Sequence, residues 1–145
     1  MECGECTLCC LLLDVPWMDK KAGEACKHCN KGCDIYETVD ARCLEFKCAY
    51  NQMGAASEKM RPDNCGVIFE KLEDDLMFGT INPNHTDFKF MSGQVDFFLK
   101  EGINVVFTKK GQPIVYHLDD VRPEELLSRV HKIAEGKNGN SSIRF

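Results

Sequence analysis

The sequence predicts an α+β fold: a loop-rich, cysteine-rich N-terminal module packed on a small antiparallel sheet with two helices. Three observations predict it. All ten cysteines of the 145 residues lie at or before Cys65. After Cys65, strand-like apolar runs separated by turn residues read as two hairpins. Two further stretches place apolar residues at helical spacing. The chain divides into a cysteine module over 1–65, an α+β layer over 66–136 and a flexible tail over 137–145. At this length, module and layer are expected to form one folded unit.

Within the module few runs are periodic. Pro16 limits any helix begun at Cys9, and Asn30-Lys31-Gly32 is turn chemistry between Cys29 and Cys33. Such a segment buries little apolar surface, so a bound metal or cluster is expected to supply folding energy. The text changes character after Cys65. Val67 to Leu72 and Leu76 to Ile81 are strands around Glu73-Asp74-Asp75, which reads as a solvated acidic turn. Met91, Val95, Phe98 and Leu99 then recur at helical spacing, with Gly102 as the stop. Phe88, Phe90, Phe97 and Phe98 in this stretch are expected in the core. Ile103 to Thr108 and Pro113 to Leu118 form the second hairpin through Lys110-Gly111. A last helix starts near Pro123 with Glu124 and Glu125 in its first turn. Its stripe is Leu126, Leu127, Val130, Ile133 and Ala134, and Gly136 ends it.

Composition narrows the function classes. Hydrophobic content of 43% and charged content of 28% are ordinary for a globular chain. The net charge of −5 is spread over both halves, so neither offers the basic face that a nucleic-acid partner requires. No basic and apolar leader precedes Cys3, and the apolar run Cys9 to Leu13 is too short to span a bilayer. A cytoplasmic location without membrane contact is the expectation. There, clustered cysteines bind metal or react more often than they form disulfides.

The cysteine spacing carries the chemistry. The chain opens Cys3-Gly-Glu-Cys6-Thr-Leu-Cys9-Cys10, and Cys26, Cys29, Cys33, Cys43, Cys48 and Cys65 follow. A Cys-x-x-Cys turn lets two sulfurs reach one metal at about 2.3 Å for zinc. Cys3/Cys6, Cys6/Cys9 and Cys26/Cys29 all have that spacing. A Cys-x-x-Cys-x-x-Cys run with a distant fourth cysteine also holds cubane clusters. Adjacent Cys9 and Cys10 point in different directions on any regular backbone, so either they serve two centres or one of them packs as a small hydrophobe. Zinc and iron–sulfur are the metals such sulfur-rich sites select. The triple run favours an iron–sulfur cluster, 4Fe-4S in type and one or two in number, with zinc as the alternative. His28, His85, His117 and His131 are scattered and read as surface or strand residues. Trp17, Tyr36 and Phe46 are expected to pack over the cysteines and shield them from water. A dithiol enzyme is disfavoured, because neither knuckle pair opens a helix within a βαβ unit. No nucleophile–base–acid set stands out elsewhere.

Eight of these cysteines carry a resemblance. Cys3-x-x-Cys6-x-x-Cys9-Cys10, then Cys26, then Gly32-Cys33-Asp34-Ile35-Tyr36, then Cys43-Leu-Glu-Phe46-Lys-Cys48, resemble the CxxCxxCC family of zinc- or iron-chelating proteins in order and spacing. Arg61-Pro62-Asp63-Asn64-Cys65-Gly66-Val67 also looks like some of its members. The resemblance implies metal ligation by Cys3, Cys6, Cys9, Cys10, Cys26, Cys33, Cys43 and Cys48, with Cys29 and Cys65 as possible additional ligands. Where many members carry Arg-Pro after the tyrosine box, this chain has Val39-Asp40, so the approach to Cys43 differs. A flagellin lysine methylase shares the eight-cysteine module. Its activity is not carried over, since no glycine-rich strand-to-helix turn is present to hold a methyl donor. The expectation is a structural, electron-transferring or redox-sensing metal protein, with a protein partner if it is a zinc module.

Overall fold

A computed structural model describes residues 5–52, 58–86 and 89–136. The expected ligand Cys3, the expected core residue Phe88, the Phe90 side chain and the expected tail over 137–145 lie outside the described residues. The chain is a mixed α/β fold with one four-stranded sheet and, among the described residues, six α-helices.

The four strands are β1 (Val67–Glu73), β2 (Leu76–Ile81), β3 (Asn104–Lys109) and β4 (Gln112–Tyr116), side by side in sequence order. Both expected hairpins form: Val67 faces Ile81, and Val105 faces Tyr116. The second turns through Lys110 at φ 51° and Gly111 at φ 76°, the left-handed pair that matches strand twist. The sheet is not antiparallel throughout, however. β2 and β3 run parallel, with Met77 opposite Val105 and Gly79 opposite Phe107. The reason is the helix between them. α5 (Lys89–Lys100) carries the chain from the end of β2 back to the start of β3, so the second hairpin enters in the direction of β2. Gly102, at φ 77°, ends that helix as expected, and Ile103 donates back to the Phe98 carbonyl at 2.8 Å.

Strand alternation sends side chains to two cores. On one face Val67, Phe69, Met77, Val105 and Phe107 pack with Val95 and Phe98 of α5. On the other, Leu76, Phe78 and Val106 pack with Leu126 and Val130 of α6 (Pro123–Gly136). Phe97 departs from expectation. It is 48% exposed, because its neighbour Phe98 takes the inward position on the helix. The acidic turn is exposed as expected, and Arg129 of α6 also pairs with Glu73 and Asp75, its Nε 2.7 Å from a Glu73 oxygen.

The cysteine segment covers the β1 side of this layer. Its elements are short: α1 (Leu8–Leu12), α2 (Ala41–Glu45), α3 (Ala49–Gln52) and α4 (Pro62–Cys65). Ile68 of β1 points away from the α5 core and receives Leu8, Leu12 and Leu13. Ala49 and Cys65 join the α5-side core. No described helix is long and apolar enough to cross a membrane.

Candidate metal centre

The site begins with α1, which carries Cys9 and Cys10 and ends one residue before Leu13. Pro16 starts a 3-10 turn, and Asp19 at φ 52° reverses the chain so that Val15 and Lys20 pair, Val15 donating to the Lys20 carbonyl at 2.8 Å. That reversal folds the Lys20 side chain onto the end of α1. Its ammonium donates to the Leu11 carbonyl at 3.1 Å and to the Leu13 carbonyl, and the residue is only 6% exposed.

The chain then runs back along α1. Gly23 donates to the Leu11 carbonyl and Cys26 to the Cys10 carbonyl, both at 3.0 Å, which sets Cys26 beside Cys10. Cys29 donates to the Cys26 carbonyl at 3.0 Å and closes the Cys26–Cys29 knuckle. Lys31 at φ 52° and Gly32 at φ 135° make the predicted turn, and Cys33 pairs with Cys29 across it. Asp40 caps α2. The Asp40 carboxylate accepts from the Arg42 backbone at 3.0 Å and from its guanidinium, and Arg42 lies 4.6 Å from the centre of the Trp17 ring. That packing sets Cys43 next to Met18, sulfur to sulfur at 3.9 Å.

Sulfurs from several segments thus meet. Cys10 is hydrogen-bonded by the Cys9 and Cys29 thiols and faces the Lys20 charge; against its burial, these hold its pKa down to about 6. Burial pushes the Cys29 and Cys43 thiols up, and both lie in the field of Cys10 and Cys26. Burial pushes the Lys20 ammonium down, while Cys10, Cys26, Asp14 and Cys9 act to keep it charged. Trp17's buried indole N–H has no conventional hydrogen-bond partner and lies beside Cys43, whose thiolate it favours. A cavity of about 370 Å³ opens over this group, with Cys9, Cys10, Cys43, Trp17 and Arg42 in its wall.

A second group lies behind α1. Cys6, Cys9 and Cys48 pack around Leu8, Leu12, Leu13 and Ile68, together with Phe46. Burial pushes Cys6 up to about 11, with the Asp63 carboxylate acting in the same direction. Cys65 is also raised to about 11, chiefly by burial, and its thiol lies 3.3 Å from the Val67 carbonyl. Cys9 therefore sits between the two groups. Cys65 is a buried core thiol hydrogen-bonded to backbone, whereas Cys29, the other possible additional ligand, touches Cys10.

All nine described cysteines are free thiols. Among the described residues, no three Cys, His, Asp or Glu side chains are gathered closely enough to hold a metal ion. Sulfur is the donor type that zinc and iron–sulfur clusters take. The sulfurs approach one another without closing a cage.

The three expected shields divide. Trp17 and Phe46 pack against the cysteines, but Tyr36 is 62% exposed and covers nothing. His28 contributes its carbonyl to Asp34, and the His117 ring and His131 are exposed. His85 has a packing role. Its ring lies where a β-carbon on Gly66 would stand, 2.2 Å from the nearest ring atom, and Gly66 itself is at φ +72°. The residues that sequence reasoning missed are charged: Lys20 beside the thiols, Asp63 beside Cys6 and Arg42 over Trp17. The reversal at Asp19, at φ 52°, turns Lys20 inward. No protein-family model, curated protein or solved structure matches this chain.

Proposed function

We propose that the chain is a metal-binding protein of the CxxCxxCC type, whose N-terminal cysteines hold an iron–sulfur cluster, 4Fe-4S in type. Its role is structural, electron-transferring or redox-sensing. The observation that carries this reading is the hydrogen bonding of the Cys10 thiol by Cys9 and Cys29, with Cys26 tied to the Cys10 carbonyl and Cys43 in the wall of the same cavity. Three separate segments supply these sulfurs, and hydrogen bonds between loop backbones bring them together. A bound cluster supplies one-electron chemistry. The chain's own residues hold the thiols, exclude water with Trp17 and Phe46, and leave Cys9, Cys10 and Cys43 open to the cavity. No reaction is assigned to it. Free thiols suit a reducing, cytoplasmic compartment, and the acidic net charge speaks against a nucleic-acid partner.

Zinc is the second reading, and one observation favours it. The Cys26–Cys29 knuckle, closed by its own backbone hydrogen bond, is the turn that zinc modules use. On this reading the segment is a structural module that serves a protein partner. Iron, zinc and acid-labile sulfide, measured with a visible spectrum on protein purified without oxygen, separate the two. Iron with sulfide and brown colour is the expected result. Zinc without colour selects the second reading, and a metal-free protein sinks both.

A further inference from the structure

We infer that the outer edge of β4 is a dimerisation surface: two copies of this chain pair β4 with β4, antiparallel about a twofold axis at Val115, into one continuous sheet. This does not depend on the metal reading, and it concerns the layer that follows Cys65.

The two edges of the sheet differ. β1 lies against α3 and α4, whereas among the described residues no strand pairs with the outer side of β4. The register says which backbone groups that side presents. In a two-residue hairpin the residues flanking the turn, Lys109 and Gln112, are hydrogen-bonded to each other, and the pairs alternate from there. Ile114 and Tyr116 therefore bond inward to β3, as does Leu118, whose N–H donates to Asn104 Oδ1 at 3.0 Å. Pro113, Val115 and His117 turn their backbone groups outward. A proline blunts an edge, but large apolar side chains on the rim do the opposite. Ile114 and Tyr116 stand opposite Phe107 and Val105 on the α5 face, and each is 37% exposed. The Tyr116 ring is held edge-on to Phe107, with centroids 5.8 Å apart.

A second copy of β4 fits this edge because the edge complements itself. With the axis at Val115, the two Val115 residues exchange N–H and C=O. The Pro113 carbonyl accepts from the N–H of the partner's His117, so the missing proline donor costs a bond and not the pairing. Ile114 falls opposite the partner's Tyr116 on the α5 face, an aromatic and β-branched pair of the kind that stabilises neighbouring strands. Charge sets the direction. The hairpin tip carries Lys109-Lys110, and the far end of β4 runs into Asp119-Asp120; Lys110, Asp119 and Asp120 are all exposed. Antiparallel pairing about Val115 brings each lysine tip to the partner's aspartates, whereas parallel pairing would set like charge against like.

Sedimentation equilibrium of the full-length chain, in reductant to keep intermolecular disulfides out, tests this. A dimer that dissociates on dilution is the expected result, and a chain still monomeric at about 1 mM overturns the inference. Val115→Pro removes the outward N–H and leaves the bonds to β3, as Pro113 already does on the same strand, and should weaken association at least about tenfold. Lys110→Asp sets like charges together at both ends and should weaken it about tenfold at low salt. Adding Asp120→Lys to Lys110→Asp should restore it, and a doubly substituted chain that stays weak contradicts the register. Val115→Pro and Lys110→Asp chains that associate as the parent does place the dimer on another surface and overturn the inference. Hydrogen exchange on the unsubstituted chain covers variants that fail to fold. The Val115 amide should be protected at high chain concentration and exchange fast on dilution, while the Ile114 amide, bonded to β3, stays protected at both. A Val115 amide that exchanges fast in the dimer contradicts the pairing.

Discussion

The two halves of this chain are held together by different physics. In the sheet layer, Phe78, Phe98, Phe107, Val105, Val106, Leu126 and Val130 are all buried, on strands and helices long enough to form continuous faces. In the cysteine half, α1 to α4 have four or five residues each, far below the length at which a helix stands on its own. The apolar cluster there is Leu8, Leu12 and Leu13 on a borrowed strand residue, Ile68. What orders this half is specific and polar: Lys20 on the α1 carbonyls, Cys26 on Cys10, and thiol on thiol. Apolar area stabilises in proportion to its extent, whereas a polar cluster stabilises only when every partner is present. The layer should therefore tolerate changes to the module, and the module should depend on what its thiols hold.

One chemistry applied to both halves sharpens that contrast. Leu126→Ala, at a fully buried position between strands and α6, is expected to cost about 4 kcal/mol in urea unfolding. Leu12→Ala, at 7% exposure in the small cluster under short helices, should cost about 2 kcal/mol, because loops collapse into the gap more readily than a sheet does. Equal losses would break the comparison. Next in size is overpacking. A β-carbon on Gly79 would stand 2.3 Å from the Phe107 ring, so Gly79→Ala should cost about 2 kcal/mol and leave thiol reactivity in the module unchanged. Arg129→Ala should lower stability by about 1 kcal/mol, since its carboxylate partners Glu73 and Asp75 are substantially exposed, and the loss should shrink in high salt.

The smallest effect on stability has the sharpest readout. Cys10 ionises at about 6, so in the metal-free, reduced protein it should be the cysteine alkylated fastest at neutral pH, with its rate falling by half near pH 6. Cys6 and Cys65, held protonated to about 11, should lag behind it until strongly alkaline pH. Peptide mapping after brief iodoacetamide treatment reads the order directly. Uniform labelling of the three would mean that Cys9, Cys29 and Lys20 do not act on Cys10 as their placement implies.

The layer was legible in the sequence because each of its elements repeats a period. Alternation gave both hairpins, Lys110-Gly111 the second turn, and the stripe from Leu126 to Ala134 the last helix. The parallel pairing of β2 and β3 was not, because neither strand records its neighbour's direction; the crossover by α5 decides it. For the candidate site, spacing anticipated the Cys26–Cys29 turn. It did not show that Cys6 turns toward Asp63 while Cys10 turns toward Cys29, because that depends on how α1 is rotated on Ile68. Lys20 was invisible for a plainer reason. Its burial depends on the left-handed turn at Asp19, which no spacing rule signals.

The proposal that the thiols hold a metal implies that this metal orders the module, while the layer is ordered by its own core. Amide hydrogen exchange on metal-bound and metal-stripped protein tests it most directly. The account predicts that stripping the metal abolishes protection from Leu8 through Gln52, while Val67 through Gly136 keep theirs. Unchanged protection in the module after removal, or simultaneous loss in both halves, would contradict it.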